Sequence, residues 1–177
     1  MWFTSAVTSG KDESMVYVLD SRMGEIVGAY DAAAARPRTW REALERIAFA
    51  YRRFLVGHPN VLALLVGRLP VGPNALTIRE RSLSALTERG FSQDLAARAF
   101  TTLLQYVVGC AVTQAGDPAP DEAAAIRDYY RSLDAAAYPH VAAAADALTH
   151  TPREAGFVEG LEIVLDGIDR TRRRSAR

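Results

Sequence analysis

Apolar residues along this chain recur at three- and four-residue intervals, and no stretch alternates at period two for long, so the pattern predicts helices throughout. The segment "SGKDESMVYVLDSRMGEIVG" reads as an early helix with Met15, Val16, Leu19, Met23, Ile26 and Val27 on its buried side. In "TWRE", Thr39 is the expected N-cap and Glu42 closes a capping box. Leu44, Ile47, Ala48, Tyr51, Phe54 and Leu55 follow at helical spacing until Gly57, His58 and Pro59 stop the helix. Beyond the short apolar stretch "NVLALLVGR" and the loop "LPVGPN", Asn74 is the expected cap of a helix that runs to Arg89 and ends at Gly90. Ser92 then caps the longest helix, over residues 93–115. "GDPAPD" separates it from a helix over 121–134, and "YPHVAAAADAL" reads as one further short helix. In "TPRE", Thr151 caps, Pro152 takes the first position and Glu154 closes the box for a last helix with Phe157, Leu161, Val164, Leu165 and Ile168 as its stripe. The predicted architecture is all-α, a helical bundle of about seven or eight helices joined by short loops.

Composition narrows what such a bundle can do. With 49% hydrophobic and 24% charged residues, the 177-residue chain fits one ordinary folded domain. Its 21 basic and 21 acidic residues cancel, which gives no general attraction to nucleic acid or to a membrane. The single cysteine excludes an internal disulfide and suits a reducing compartment. No apolar run is read as approaching the ~18 to 20 residues of a bilayer span. "MWFTSAV" lacks the basic start of a signal peptide, so the expectation is a cytoplasmic protein without a membrane partner.

Reactive chemistry is not assembled anywhere. His58, His140 and His150 are scattered and lack metal-ligand spacing, and no glycine-rich phosphate loop or aspartate cluster appears. His58 reads as a helix C-terminal cap rather than a catalyst. Cys110, within an apolar helix, reads as a small buried hydrophobe. With no nucleophile, base and oxyanion site in prospect, the chain is expected not to be an enzyme, and no cofactor or metal is implied. The terminal "RTRRRSAR" reads as a solvated end.

The order of the pieces resembles the C-terminal regulatory domain of TetR-family transcriptional repressors. The resemblance is carried by "KDE" at Lys11–Glu13, then "TWREAL", "FLVGHP", "LTERGFS", "YVVGCAV" and "FVEGLEIVLDGID", which together cover residues 11–170. It implies a domain over 11–170 that binds a ligand and dimerises. Residues 1–10 would be the end of a DNA-binding unit, and 171–177 a basic disordered tail. Members carry a helix-turn-helix ahead of the Lys-Asp-Glu motif. Only ten residues precede Lys11, so contact with operator DNA is expected only through a DNA reader outside this chain.

The resemblance also assigns surfaces. The long helix and the last helix are implied to pair with their twins across a twofold axis as a four-helix bundle. That assignment draws in Tyr106, Gly109, Cys110, Gly156, Phe157, Gly160, Leu161, Val164 and Gly167. Glycines there would let backbones approach closely. Around the implied ligand cavity stand Ile47, Tyr51, Leu65, Phe100 and Leu103, with Arg68 and Gln105 as polar groups that orient a small apolar or aromatic effector. The implied partners are thus a second copy, such an effector and, for a full-length form, operator DNA. The alternative is a stand-alone helical protein that binds a small molecule, or pairs with a relative, without binding DNA.

In tetracycline-binding members, histidines and an acid hold a magnesium–drug complex. Leu65 and Gln105 stand at the histidine positions here and Thr113 near the acid's, and these cannot build a hard-cation shell. Tetracycline fluorescence is therefore expected to be unchanged by this protein with or without magnesium; tight, magnesium-dependent quenching would contradict the assignment.

Overall fold

The structure, a computed structural model, describes residues 10–32, 36–65, 70–115, 120–150 and 153–175. Among them are nine helices: α1 (Gly10–Asp31), α2 (Trp40–Gly57), α3 (Pro59–Leu65), α4 (Pro73–Thr87), α5 (Gln93–Ala115), α6 (Pro120–Ser132), α7 (Pro139–Ala143), α8 (Ala145–His150) and α9 (Arg153–Ser175). No strand occurs among the described residues. The segment "YPHVAAAADAL" is two helices, because the chain leaves helical geometry at Ala144.

Local signals set most of the helix ends. Thr39 Oγ1 accepts the Glu42 N–H at 3.1 Å, and Glu42 reaches back to accept the Arg38 N–H at 2.7 Å, one residue before the usual box partner. At the other end His58 is the C-cap, its N–H bonded to the Leu55 carbonyl. Its imidazole lies 2.9 Å from a Glu25 carboxylate oxygen, which ties α2 to α1 and holds the Glu25 carboxyl below the usual carboxylate range. Gly90 takes φ +84°, the left-handed stop, and Ser92 Oγ accepts the Leu95 N–H to start α5. Thr151 and Pro152 lie outside the described residues, as do the side chains of Met15 and Val16.

Asn74 is not the cap of α4. The helix begins two residues earlier than that cap would start it, at Pro73, and its N-cap, Gly72, offers no side chain. The acceptor comes from α1: Asp20 Oδ1 takes the Ala75 N–H at 3.0 Å and Oδ2 the Asn74 N–H at 3.2 Å. Asn74 instead donates from its amide to the Asp20 carbonyl at 2.9 Å. A buried carboxylate is thus satisfied by free helix-start N–H groups that would otherwise be orphaned. The approach is so close that a Cβ on Gly72 would lie 2.2 Å from Asp20 Cγ.

Packing separates a body from an excursion. α2 packs on α1, α3, α4 and α5, while α5 also meets α4 and α9. From α1, Leu19, Met23 and Ile26 enter this core as expected, and Leu161, Leu165 and Ile168 enter it from α9. Helices α6, α7 and α8 pack chiefly on one another. The last helix continues through Arg174 to Ser175, so the disordered tail expected from residue 171 is helical over its described part. Arg172 lies over the Phe91 ring at 5.7 Å and pairs with Asp169, which gives that turn partners.

A further correction concerns α5. It is the one helix among the described residues long and apolar enough to cross a bilayer, by length and composition alone. Packing against α2, α4 and α9 accounts for the apolarity of its inner face, and 39% of the apolar window is buried.

Removing the cap carboxylate in Asp20→Ala is expected to cost about 1–3 kcal/mol, since two N–H groups lose their acceptor. Gly72→Ala should cost a similar amount, about 1–3 kcal/mol, by overpacking against Asp20. Urea unfolding monitored by far-UV circular dichroism measures both, and unchanged midpoints would show that α1 does not cap α4.

Candidate functional site

The inner faces of α2 and α5 meet at the positions the resemblance implied. Ile47 and Tyr51 from α2 and Phe100 and Leu103 from α5 are 0–5% exposed and belong to one contiguous apolar cluster with Val61, Leu62, Ile78 and Leu86. Leu65, at the end of α3, is half-buried against the same cluster. Gln105 is not there. It is exposed, about 200° around α5 from Leu103 at 100° per residue, and cannot orient a guest in that core. Arg68 lies outside the described residues.

Tyr51 brings the polar group that the sequence reading had sought elsewhere. Burial pushes its phenol up to about 12, opposed by the charge of Arg79, so at neutral pH it is a protonated donor in an apolar setting. Arg79 itself was missed. It is half-buried on α4, with its guanidinium donating to the Pro70 carbonyl. The signal was its position, four residues after Ala75 and three before Ser82, on the stripe α4 turns to the core.

The α5–α9 pair has an inner and an outer side. On the inner side the Tyr106 hydroxyl donates to the Phe157 carbonyl at 2.6 Å, and the two rings stack at 5.6 Å. Phe157 also receives the edge of Phe49 and the guanidinium of Arg52, 4.6 Å above its ring. A Cβ on Gly160 would lie 2.4 Å from Tyr106 Oη, so this glycine admits a tyrosine of its own chain. Its notch is thus filled within the protomer. Phe157 and Leu161 are likewise buried by their own chain, at 1% and 2% exposure, and Val164 and Cys110 pack against the same core while half-exposed.

The outer side is bare. Nothing lies within 4 Å of a Cβ built on Gly109 or on Gly167. Beside them Val112 is 45% and Ile163 69% exposed. Helical spacing sets Gly156, Gly160, Ile163 and Gly167 on one side of α9, and Thr102, Gln105, Gly109 and Thr113 on one side of α5. Tyr106 and Gly160 form the seam between those two sides.

Residues 33–172 match the family described as tetracyclin repressor-like, C-terminal domain. The chain belongs to that family. Its curated relatives include an HTH-type transcriptional regulator of Saccharopolyspora erythraea, 29% identical over 76% of this chain and 56% of that protein. Another is the tetracycline repressor protein class A from transposon 1721 of Escherichia coli, 29% identical over 75% of this chain and 59% of the relative. The chain thus spans less than two thirds of the length of each. Among solved structures, apo ActR from Streptomyces coelicolor superposes with a TM-score of 0.83 at 25% identity, covering 94% of this chain and 77% of that one. ActR in complex with actinorhodin gives 0.82 at 26%, covering 94% and 79%. This TetR-family domain therefore has the all-α fold of a regulator's C-terminal part.

Helix propensity alone would favour Gly160→Ala by about 1 kcal/mol. Collision with Tyr106 is expected to reverse the sign, leaving a net loss of about 1–2 kcal/mol in chemical denaturation. In a Tyr106→Leu background the same alanine should become neutral or favourable; an equal loss in both backgrounds would show that Tyr106 does not occupy the notch.

Proposed function

We propose that this chain is the effector-sensing and dimerising part of a TetR-like transcriptional repressor working in the cytoplasm. The convergence of Ile47, Tyr51, Phe100 and Leu103 on one buried apolar cluster carries the reading, since it supplies an apolar interior with a single protonated phenol. The effector is a small apolar or aromatic molecule, oriented by Tyr51, with Leu65 at the edge. The similarity to ActR, solved both apo and with actinorhodin, supports an interior that receives a bound ligand.

Dimerisation runs through the outer side of α5 and α9. Gly109 and Gly167 allow close backbone approach there, and Ile163 gains burial that its own chain does not provide. Gly156 lies on the same side of α9. Effector binding acts by shifting the population of two subunit arrangements, which alters the spacing of two DNA readers on an operator.

A panel of aromatic and polycyclic compounds is expected to contain at least one that raises the melting temperature, because a ligand selective for the folded state must stabilise it. Tyr51→Phe should weaken that compound about fivefold, the worth of one hydrogen bond of about 1 kcal/mol. Stabilisation by no compound, or unchanged affinity in Tyr51→Phe, would count against the interior site.

For the subunit contact the discriminating positions are Gly109 and Ile163, because bulk at Gly160 would collide within the protomer. Sedimentation should show a dimer that Gly109→Arg or Ile163→Glu converts to a monomer with unchanged helicity. A dimer that survives both substitutions rejects this face.

A further inference from the structure

The last turn of α1, the stretch before α2, α2 itself and the C-terminal half of α4 line a half-open pocket of about 420 Å³ that shares no residue with the buried apolar cluster and meets it only where Tyr30 packs against it. Four arginines line it: Arg36 before α2, Arg46 on α2, and Arg81 and Arg89 on α4. Only two carboxylates, Asp31 and Glu88, line it with them. Arg81 pairs with Asp31, and Arg46 is held at 2.5 Å by Glu42 from outside the cavity. Arg89 donates to the Pro37 carbonyl at 2.8 Å and the Ala85 carbonyl at 3.0 Å, with Glu88 more distant at 3.9 Å. Arg36 has no carboxylate partner among the described residues. Positive charge in the lining therefore exceeds what its own acids neutralise.

Tyr30 completes the wall. Arg81 lies 5.9 Å from its ring centre, and its hydroxyl sits in the combined field of Arg46, Arg81 and Arg89, which oppose the upward push of burial on the phenol. Ser84 adds a second hydroxyl, while Ala85 and Pro37 give apolar wall that concentrates the field. Guanidinium forks match the planar geometry of carboxylate and the tetrahedral oxygens of phosphate, and a phenol adds a neutral donor.

We propose that this cavity is a second binding site, for a small molecule carrying a carboxylate or phosphate group, separate from the apolar effector site. An occupant would bridge α1, α2 and α4, with Arg36 and Arg81 as its principal charged contacts and Tyr30 donating a hydrogen bond.

The test is thermal unfolding and calorimetry of the full chain with inorganic phosphate, pyrophosphate and citrate, at ionic strength held constant with sodium chloride. At least one anion is expected to stabilise saturably. A response to citrate alone assigns a carboxylate ligand, and a response to phosphate or pyrophosphate assigns a phosphorylated one. Arg36→Gln disturbs no ion pair among the described residues and should weaken binding several-fold without changing the melting temperature of the free protein. Arg36→Gln with Arg81→Gln should weaken it by about tenfold or more, the loss expected for charge-assisted hydrogen bonds. Stabilisation that follows ionic strength rather than the anion, or that persists unchanged in both variants, overturns the proposal.

Discussion

The burial of one face of α5 is the contact on which the rest of the molecule hangs. Leu95, Ala96, Ala99, Phe100, Leu103, Val107 and Ala111 form a stripe that α2, α4 and α9 cover together. At about 1.5–3 kcal/mol for each large apolar side chain, that stripe outweighs any ion pair on the surface. It fixes where α2 and α9 must lie, and so decides which residues enclose the interior and which sides of α5 and α9 stay uncovered. The same helix therefore contributes to the candidate ligand site on one side and to the candidate subunit contact on the other.

Around this core, arginine organises the surface. Arg41 on α2 engages Glu45 on its own helix and Glu162 and Asp166 on α9, while Arg52 reaches Glu154 at the start of α9 and lies over Phe157. These contacts hold α9 against α2 at two heights along its length. A planar guanidinium can serve two acids, or an acid and a ring, at once, which a lysine ammonium cannot do as well. The chain has one lysine, Lys11. Exposed pairs of this kind add little stability singly, but here they orient a helix that the core has already placed.

What could be read from the sequence was what depends on near neighbours. Thr39, Gly90 and Ser92 act within four residues of themselves, and the structure keeps each in its expected role. The stripes of α1, α2 and α9 follow from helical period alone. The cap of α4 could not be read this way, because Asp20 is 54 residues from Asn74 and only the packing of α1 on α4 brings them together. The glycines posed a related problem. A missing side chain shows that something comes close, but not whether the visitor belongs to the same chain: Gly160 is filled by Tyr106, while Gly109 and Gly167 are open. Gln105 was carried over from a histidine position of tetracycline-binding members, a match that does not fix which way the side chain faces here, and Arg79 was overlooked because a charge on a buried stripe resembles a break in it.

Helices α6 to α8 stand apart in a way that bears on how this protein comes undone. They cohere through Ala145 at their centre and through Asp146, which draws in both Arg127 and Arg131. A unit of this size buries too little apolar surface to be robust alone, and it borrows little from the body. Its opening free energy is consequently its own, lower than that of α2 and α5, and its amide protons should exchange with solvent while the central helices remain closed. The polypeptide therefore has two tiers of cooperativity, a durable inner scaffold and a loosely governed appendage that can breathe without dissolving it.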